Sequence, residues 1–309
     1  MVKERIGIKE LGQLVAQEIE KRIPEARVEV REVIKNNSLI LQGITIIDKQ
    51  ESNGITPTIY IDNYYEEYCD SKLTVEEIAE KVIELHYERK DDVPFDIKAL
   101  TDFDNAKKNL RIKLINTEKN RKLLETVPHK AFLDMSMVYQ VKAFSEDDAV
   151  GTTVVSNSLL KMYGVSADEL HEAAFETMKE SEPVDIVGMT RKIMGLASMM
   201  GMDEMELEEI VSRLEDEQMI LISNTSNICG ASQILYKENL QKIADIFKED
   251  FYILPSSIHE CLAVRTSDSD IEMLKAMVTE VNSTQVLPEE VLSDNVYFYS
   301  TETGELAIA

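Results

Sequence analysis

The chain has 309 residues, of which 44% are hydrophobic and 29% are charged, and it carries a formal net charge of −25. These proportions are typical of a soluble globular protein, and the length is sufficient for two domains of ordinary size. A field of this sign repels nucleic-acid phosphates and acidic membranes, so direct binding to either is unfavourable. The negative charge suits a basic protein partner or serves solubility alone.

The sequence carries no signal for membrane insertion, secretion or metal binding. The longest apolar run, residues 193–202, has ten residues, whereas a membrane span needs roughly 18–20. The first ten residues lack the apolar region of a secretory signal. The three cysteines, Cys69, Cys229 and Cys261, form no Cys-x-x-Cys pair, which suits a reducing compartment and argues against a zinc site. We therefore expect a cytoplasmic protein that binds no metal.

The N-terminal part of the chain has the pattern of an α-β-β-β-α unit. Apolar residues recur at helical spacing from Ile8 to Ile19. Three β-like segments follow, and they are joined by turns rich in Asn, Ser and Gly. Thr74 and Glu77 have the spacing of a capping box, which predicts the start of the second helix. We predict a first domain formed by residues 1–92.

A charged segment that contains a proline, residues 87–96, separates this unit from the rest of the chain. We place the domain boundary there, so that residues 93–309 form a second, larger domain. Its first part, residues 100–130, is basic and is predicted to be helical. Within it, residues 107–130 contain eight Lys or Arg against two Glu, a local net charge of +6, so the rest of the chain sums to −31.

This basic segment is a candidate binding surface. It would contact an anionic ligand or a partner, or it would pair with acidic surface of the same chain or of a second copy in a homo-oligomer. The candidate residues are Lys107, Lys108, Arg111 and Lys113.

Methionine is concentrated in residues 184–217, which we predict to form helices. A stripe of apolar residues at helical spacing in this segment is typical of a buried core. Three further methionines, Met194, Met199 and Met205, lie off that stripe. Because the flexible Met side chain suits surfaces that repack around partners, these three are candidate partner-binding residues.

The remainder of the second domain alternates β-like and helical segments. Ser166 and Glu169 form another capping-box pattern ahead of a helix. Residues 219–223 read as a strand, residues 271–281 as a helix, and residues 295–309 as a closing hairpin. Strand pairs joined by short turns indicate an antiparallel or mixed sheet with helices packed on it, which is an α+β fold.

Several stretches of the second domain together resemble one known family. They are LPSSIHE (254–260), MVTEVNSTQV (277–286), EEVLSDNVYFYS (289–300), GVSADELHEAAFETM (164–178) and GASQILY (230–236). With these signatures the chain resembles an uncharacterised bacterial family, a domain of unknown function, over roughly residues 120–300. The resemblance implies a bacterial, intracellular protein without disulfides. It implies no activity, cofactor or catalytic residue.

The segment FYILPSSIHECLAVR (251–265) combines residue types that suit catalysis. Ser257 as nucleophile and His259 as base would give a hydrolase, with Glu260 beside them. However, no glycine flanks the serines as in a strained nucleophile elbow, and a strand would direct His259 and Glu260 to opposite faces. The competing interpretation is a structural corner between two strands. In it, Pro255 ends the first strand, and Ser257 and Glu260 form a capping box around one helical turn.

From these features we expect a non-enzymatic, cytoplasmic interaction protein that uses no cofactor, because the sequence has no Walker loop and no Rossmann glycines. Two alternatives remain open. The first is a hydrolase-like enzyme centred on Ser257, His259 and Glu260, with Asn224 and Asn227 on a neighbouring loop. The second is an acidic decoy or inhibitor that occupies a nucleic-acid-binding protein. A decoy should present its carboxylates in regular rows.

Overall fold

The computed structural model describes residues 6–48, 56–90, 100–146, 149–192, 219–267 and 269–309. The chain divides into two compact units, residues 1–97 and residues 98–309. The predicted boundary between residues 92 and 93 lies outside the described residues. Among the residues that the structure describes, no helix is both long enough and apolar enough to cross a membrane.

The first unit contains a three-stranded antiparallel sheet, with helices before and after it in the chain. The predicted α-β-β-β-α order is confirmed, with one additional helix between the third strand and the final helix. The elements are α1 (Ile8–Arg22), β1 (Ala26–Ile34), β2 (Ile40–Asp48), β3 (Thr58–Tyr60), α2 (Asp62–Cys69) and α3 (Val75–Lys90). The strands pair in the order β1-β2-β3, so β1 and β3 are the edges of the sheet.

The core of the first unit lies between this sheet and two helices. Leu11, Val15 and Ile19 recur every four residues on α1 and are fully buried. They share one apolar cluster with Ile44 of β2 and Val82 of α3. Fully burying one such side chain contributes about 1.5–3 kcal/mol, so this face holds the helices on the sheet.

The structure gives the full ranges of ten strands and six α-helices in the second unit, and residues 189–192 are also helical. In chain order they are α4 (Phe103–Ala106), β4 (Leu110–Asn116), α5 (Arg121–Leu124), β5 (His129–Phe132), β6 (Met135–Glu146), β7 (Ala149–Val154), α6 (Asn157–Tyr163), α7 (Ala167–Ser181), β8 (Val184–Gly188), β9 (Met219–Asn224), α8 (Lys237–Phe247), β10 (Phe251–Leu254), β11 (Cys261–Arg265), α9 (Ile271–Thr284), β12 (Tyr297–Ser300) and β13 (Glu305–Ile308). Short 3₁₀ turns, such as Gly230–Leu235, connect some of them.

These strands form two antiparallel sheets. The larger has six strands in the order β13-β12-β10-β11-β9-β8. In the smaller, β6 pairs with β4 along one side and with β5 and β7 along the other. Helices pack on sheets that are antiparallel throughout the described chain, so the predicted α+β fold is confirmed.

The two sheets share one apolar core. Tyr139 of β6, Phe251 of β10 and Tyr297 of β12 are buried in the same cluster, and Leu170 and Met178 of α7 pack there too. The larger sheet is covered on its other face by α9, in a cluster formed by Leu254, Val264, Leu274, Val278 and Val296. The central strands β10 and β11 are therefore covered on both faces, whereas the edge strand β13 is mostly exposed.

Two predicted elements of the second unit are corrected. Residues 100–130 are not mainly helical, because β4 runs through the middle of the segment between short helical turns. Leu110, Ile112 and Leu114 alternate along β4 and enter the core, which is the period of a strand. In the methionine-rich segment, Val184–Gly188 forms strand β8 rather than a helix, whereas residues 189–192 are helical as predicted. Met194, Met199 and Met205 lie outside the described residues.

Candidate functional site

The segment with the candidate catalytic residues connects β10 to β11, which are antiparallel neighbours. This connection, residues 255–260, contains no helical turn. The Ser257 N–H donates to the Glu260 carbonyl at 3.2 Å, which extends the hairpin beyond the strands. The Ser257 hydroxyl accepts a hydrogen bond from the His259 N–H at 3.0 Å. The predicted capping box is therefore wrong, because hairpin pairing replaces the helical turn that it requires.

His259 is held by a partner on each ring nitrogen. The Cys229 N–H donates to Nδ1 at 3.2 Å, so in the neutral ring the proton lies on Nε2. Nε2 lies 3.3 Å from Oε1 of Glu290, and both side chains are about one-third exposed. The ring therefore bridges a backbone amide and a carboxylate. Neither nitrogen contacts a serine hydroxyl within the described chain.

The corner is fastened to the loop that follows β9. The Ser223 hydroxyl donates to the His259 carbonyl at 2.9 Å, and the Ala231 N–H donates to the Ile258 carbonyl at 3.3 Å. Gly230 lies between these contacts. A Cβ at this position would come within 2.6 Å of both the Asn224 nitrogen and the His259 carbonyl oxygen. Only a residue without a side chain allows the loop to approach the corner this closely.

Ser256 and Glu260 lie on the more accessible part of the corner. Oε2 of Glu260 is 3.5 Å from Nζ of Lys192, and both side chains are about one-third exposed. The Ser256 hydroxyl makes no hydrogen bond in the part of the chain that the structure describes. The structure thus brings the candidate residues into one corner but does not arrange Ser257 and His259 as a nucleophile and its base.

A buried ion pair lies beside the same loop. Nη2 of Arg111 donates to Oε2 of Glu182 at 2.9 Å, and their side chains are only 1% and 4% exposed. Nδ2 of Asn224 donates to the same carboxylate oxygen at 2.9 Å and to the Ile228 carbonyl at 3.0 Å. Arg111 also donates to the Ile228 carbonyl. We call Arg111, Glu182 and Asn224 the polar centre.

The sequence reasoning missed Glu182 and Glu290. A usable signal for a buried partner was Arg111 itself, because it is flanked by Leu110 and Ile112 on a strand with four apolar residues out of seven. A charge buried in that setting requires a countercharge. The sequence does not say which of the many carboxylates supplies it.

Two buried polar atoms of this region have no partner among the described residues. They are Nε of Arg111 and Oε1 of Gln140. These two residues are opposite each other on β4 and β6. One is a donor and the other is an acceptor, so together they could hold a single buried water molecule.

The four basic candidate residues lie in two different places. Nζ of Lys107 is 2.6 Å from Oδ1 of Asp104 at the surface. Lys107 and Lys108 line a shallow groove of about 530 Å³ beside α7, together with Ala173, Glu176, Thr177, Glu180 and Ser181. Arg111 is in the polar centre, and Lys113 is half-buried near the Cys229 thiol. The structure therefore does not join the four into a single basic surface.

The thiols of the second unit are poorly suited to nucleophilic chemistry. Burial raises the pKa of the Cys229 thiol, although the charges of Lys113 and Arg111 oppose this effect. Burial also raises the pKa of Cys261, which is completely enclosed. Because their pKa values are raised, both thiols remain protonated at neutral pH. The thiolate is the reactive form, so neither is a good nucleophile. Among the described residues, no group of three or more His, Cys, Asp or Glu could hold a metal ion.

Fold and site together define an α+β protein whose second unit has a hydrogen-bonded polar corner next to a buried ion pair. A family model, the family of unknown function DUF5688, matches residues 8–301. The match covers almost the whole chain, so the protein belongs to this family. No curated protein and no solved structure matches the chain.

Proposed function

We propose that this chain is a non-enzymatic interaction protein of the bacterial cytoplasm, and that its partner is a protein with a basic surface. The observation that supports the non-enzymatic part is the bonding of the corner. The Ser257 hydroxyl satisfies a backbone N–H, and both nitrogens of His259 already have partners. A hydrolase needs that hydroxyl and that imidazole in contact.

The arrangement of charge on α7 supports a basic partner. Asp168, Glu172, Glu176 and Glu180 follow one another at intervals of four residues, and all are exposed. At a rise of 1.5 Å per residue, successive carboxylates on the helix are about 6 Å apart along the axis. Complementary charge on a partner would speed association and select the correct partner.

The same row is what the acidic-decoy alternative requires, so this alternative stays as a second proposal. A decoy would occupy the nucleic-acid-binding surface of its partner, in place of phosphates. However, the acidic row is interrupted by lysines, which argues against a continuous decoy surface. Nζ of Lys130 lies 3.2 Å from Oδ1 of Asp168. Lys107 and Lys108 line the same groove as Glu176 and Glu180. Interspersed lysines suit a partner with both signs of charge better than one that binds only phosphates.

The test is retention of partners from a lysate of the source bacterium by the immobilised full-length chain. The α7 variant Glu172→Lys/Glu176→Lys should lose a basic protein that the wild type retains. A matched control, Glu20→Lys/Glu84→Lys, makes the same change in net charge at exposed positions of the first unit and should retain it. Mass spectrometry identifies the retained protein.

The alternatives give different results in the same experiment. Release of the retained protein by added DNA or RNA would favour the decoy. Unchanged retention by the α7 variant would contradict the proposed acidic surface. Hydrolysis of a generic ester that disappears in a folded Ser257→Ala variant would contradict the non-enzymatic proposal and return the hydrolase alternative.

A further inference from the structure

The edge of the first unit formed by β1 is a surface that the proposed function does not use. β1 has nine residues and, within the described chain, pairs only with β2. An unpaired edge strand offers a row of N–H and C=O groups that can bind another strand. Arg27, Arg31, Glu32 and Ile34 on this strand are exposed.

The hydrogen bonds around β1 show which of its backbone groups point away from β2. The Lys35 N–H donates to the Leu39 carbonyl at 2.7 Å at the hairpin end, so the odd-numbered residues of β1 face β2. On the other side of β2, the Ile61 N–H donates to the Gln42 carbonyl at 3.1 Å. The backbone groups of even-numbered β2 residues thus point toward β3, so those of odd-numbered β2 residues point toward β1. This agrees with odd-numbered β1 residues bonding to β2. The outward groups of β1 therefore belong to Ala26, Val28, Val30, Glu32 and Ile34.

The side-chain charges on β1 are self-complementary about its centre. Val30 is the middle residue of Ala26–Ile34, with Glu29 on one side and Arg31 on the other. In the single chain, Oε1 of Glu29 is 2.9 Å from Nη2 of Arg27, and Nη2 of Arg31 donates to the Thr58 hydroxyl at 3.4 Å. Both contacts are at the surface, where such bonds are weak and side chains can rearrange. In a two-fold antiparallel pair centred on Val30, the outward groups of Val28, Val30 and Glu32 meet those of the second copy. At each end of the pair, the Ile34 N–H faces the Ala26 carbonyl of the partner subunit, while the Ala26 N–H keeps its bond to the Ile23 carbonyl of its own chain at 3.0 Å. Glu29 then lies opposite Arg31 of the partner subunit, at a distance of roughly 4.5–5.5 Å between Cβ atoms.

We propose that two copies of this chain associate through β1 in this register, which joins two three-stranded sheets into one continuous sheet. Pairing through β1 does not involve α7 or its proposed partner. The exposed Ile34 side chain, 47% accessible in the single chain, then lies beside the small Ala26 of the partner subunit. Charged residues on an edge strand usually prevent pairing, but here their signs alternate so that a second copy is attracted.

Other registers are less favourable. With the axis at Glu29, each Glu29 would face Glu29 of the partner subunit and each Arg27 would face Arg31, so like charges would meet. With the axis at Arg31, the two copies of Arg31 would face each other. Like charges directly opposite are destabilising. An axis at Val28 or Glu32 keeps the hydrogen-bond pattern but pairs only part of the strand.

Sedimentation equilibrium of the purified full-length chain tests this pairing. Salt at about 0.15 M limits repulsion between the two acidic copies to a range of about 8 Å. The wild type should be dimeric. Glu29→Arg alone and Arg31→Glu alone set like charges opposite at both symmetric positions, so each should weaken the dimer roughly tenfold or more. An equal mixture of these two variants should form a heterodimer, and the double variant should again form a homodimer.

A proline variant checks the backbone part independently of charge. Val30→Pro removes an outward N–H but no hydrogen bond to β2, so it should abolish the dimer while the chain keeps its circular dichroism spectrum. A monomeric wild type overturns the proposal. This holds even if β1 then proves to bind a strand of a different protein. A dimer that persists in both single variants and in Val30→Pro also overturns it, because the contact must then lie elsewhere.

Discussion

Arg111 lies on β4 with 1% of its surface exposed, and its partner Glu182 is 5% exposed. Moving two such charges out of water is costly, and their attraction offsets this cost only if the remaining polar atoms are also bonded. Asn224 and the Ile228 carbonyl supply most of those bonds. Each charge of the polar centre therefore depends strongly on the other.

Removing one member of this ion pair should be much worse than removing both. We expect Arg111→Met or Glu182→Gln to lower the free energy of unfolding by about 3–5 kcal/mol, because each leaves a buried charge without its hydrogen-bonded countercharge. Lys142, whose Nζ is 3.9 Å from Oε1 of Glu182, is too distant to replace the hydrogen bond from Arg111. The double variant should lose less than the sum of the two. Urea unfolding of the four proteins gives the coupling energy. Arg121→Met, which removes an exposed ion pair with Glu118, is the control and should unfold like the wild type. Additive losses would contradict the coupling.

The Ser257 hydroxyl is expected to stabilise the folded protein. Ser257→Ala removes the acceptor of the His259 N–H and should lower the free energy of unfolding by about 1 kcal/mol, measured as a lower Tm. Ser256→Ala is the matched control, because its hydroxyl has no partner in the described chain. If the two variants melt at the same temperature as the wild type, the hydrogen bond does not stabilise the corner.

His171 should make stability depend on pH. The Tyr139 hydroxyl lies 3.0 Å from Nδ1 of His171. Burial raises the pKa of Tyr139 to about 12, so the phenol stays protonated and donates. Burial, with the charge of Lys130, lowers the pKa of His171 below its ordinary value of 6.5. Both effects favour the neutral ring in the folded state.

Because the folded pKa is lowered, the unfolded chain takes up the proton first as the pH falls below 6.5. The stabilisation by the neutral ring is fully present above that pH and is lost as the pH falls toward the lowered pKa. In His171→Gln, the free energy of unfolding should therefore decrease less over this interval than in the wild type. Urea unfolding of His171→Gln and the wild type at several pH values measures these slopes. Equal slopes in the two proteins would show that His171 is not the group responsible.

At the scale of elements, the loop after β9 positions the corner between β10 and β11. The loop can approach this corner closely because Gly230 has no side chain. A Cβ at this position would meet backbone atoms rather than only the end of a flexible side chain. Backbone atoms cannot move aside without displacing a strand. The loop and the hairpin are therefore expected to shift together.

Gly230→Ala should destabilise the protein by about 1–3 kcal/mol, the usual cost of overpacking. Thermal unfolding of this variant and the wild type measures the difference. If the two unfold at the same temperature, the loop can accommodate the added methyl group without moving the corner.

At the scale of the whole molecule, the chain divides between residues 97 and 98. The nearby sequence contains Arg89, Lys90 and Lys98, all of which trypsin recognises. We expect limited trypsin digestion to cut first within residues 88–98 or directly after Lys98, and to release two fragments that resist further cleavage, because domain boundaries lie in segments with few contacts. Intact-mass spectrometry of a time course measures this. First cuts elsewhere would contradict the predicted boundary.

Features that depend on neighbours within about one helical turn could be predicted from the sequence alone. Thr74 with Glu77 and Ser166 with Glu169 form the predicted capping boxes. The apolar stripe of α1 is buried as its spacing predicts. These patterns are readable because the interacting residues are three or four positions apart. The α+β class follows from the same local periods.

Features that depend on contacts between distant parts of the chain became visible only in the folded protein. β4 is a strand within a basic segment because it pairs with β6, which overrides the local preference. Arg111 pairs with Glu182, which is 71 positions away along the chain, and His259 pairs with Glu290, which is 31 positions away. No local period encodes such pairs. They form because sheet pairing brings the strands together, and the cost of burying a polar group then selects the partner that is within reach.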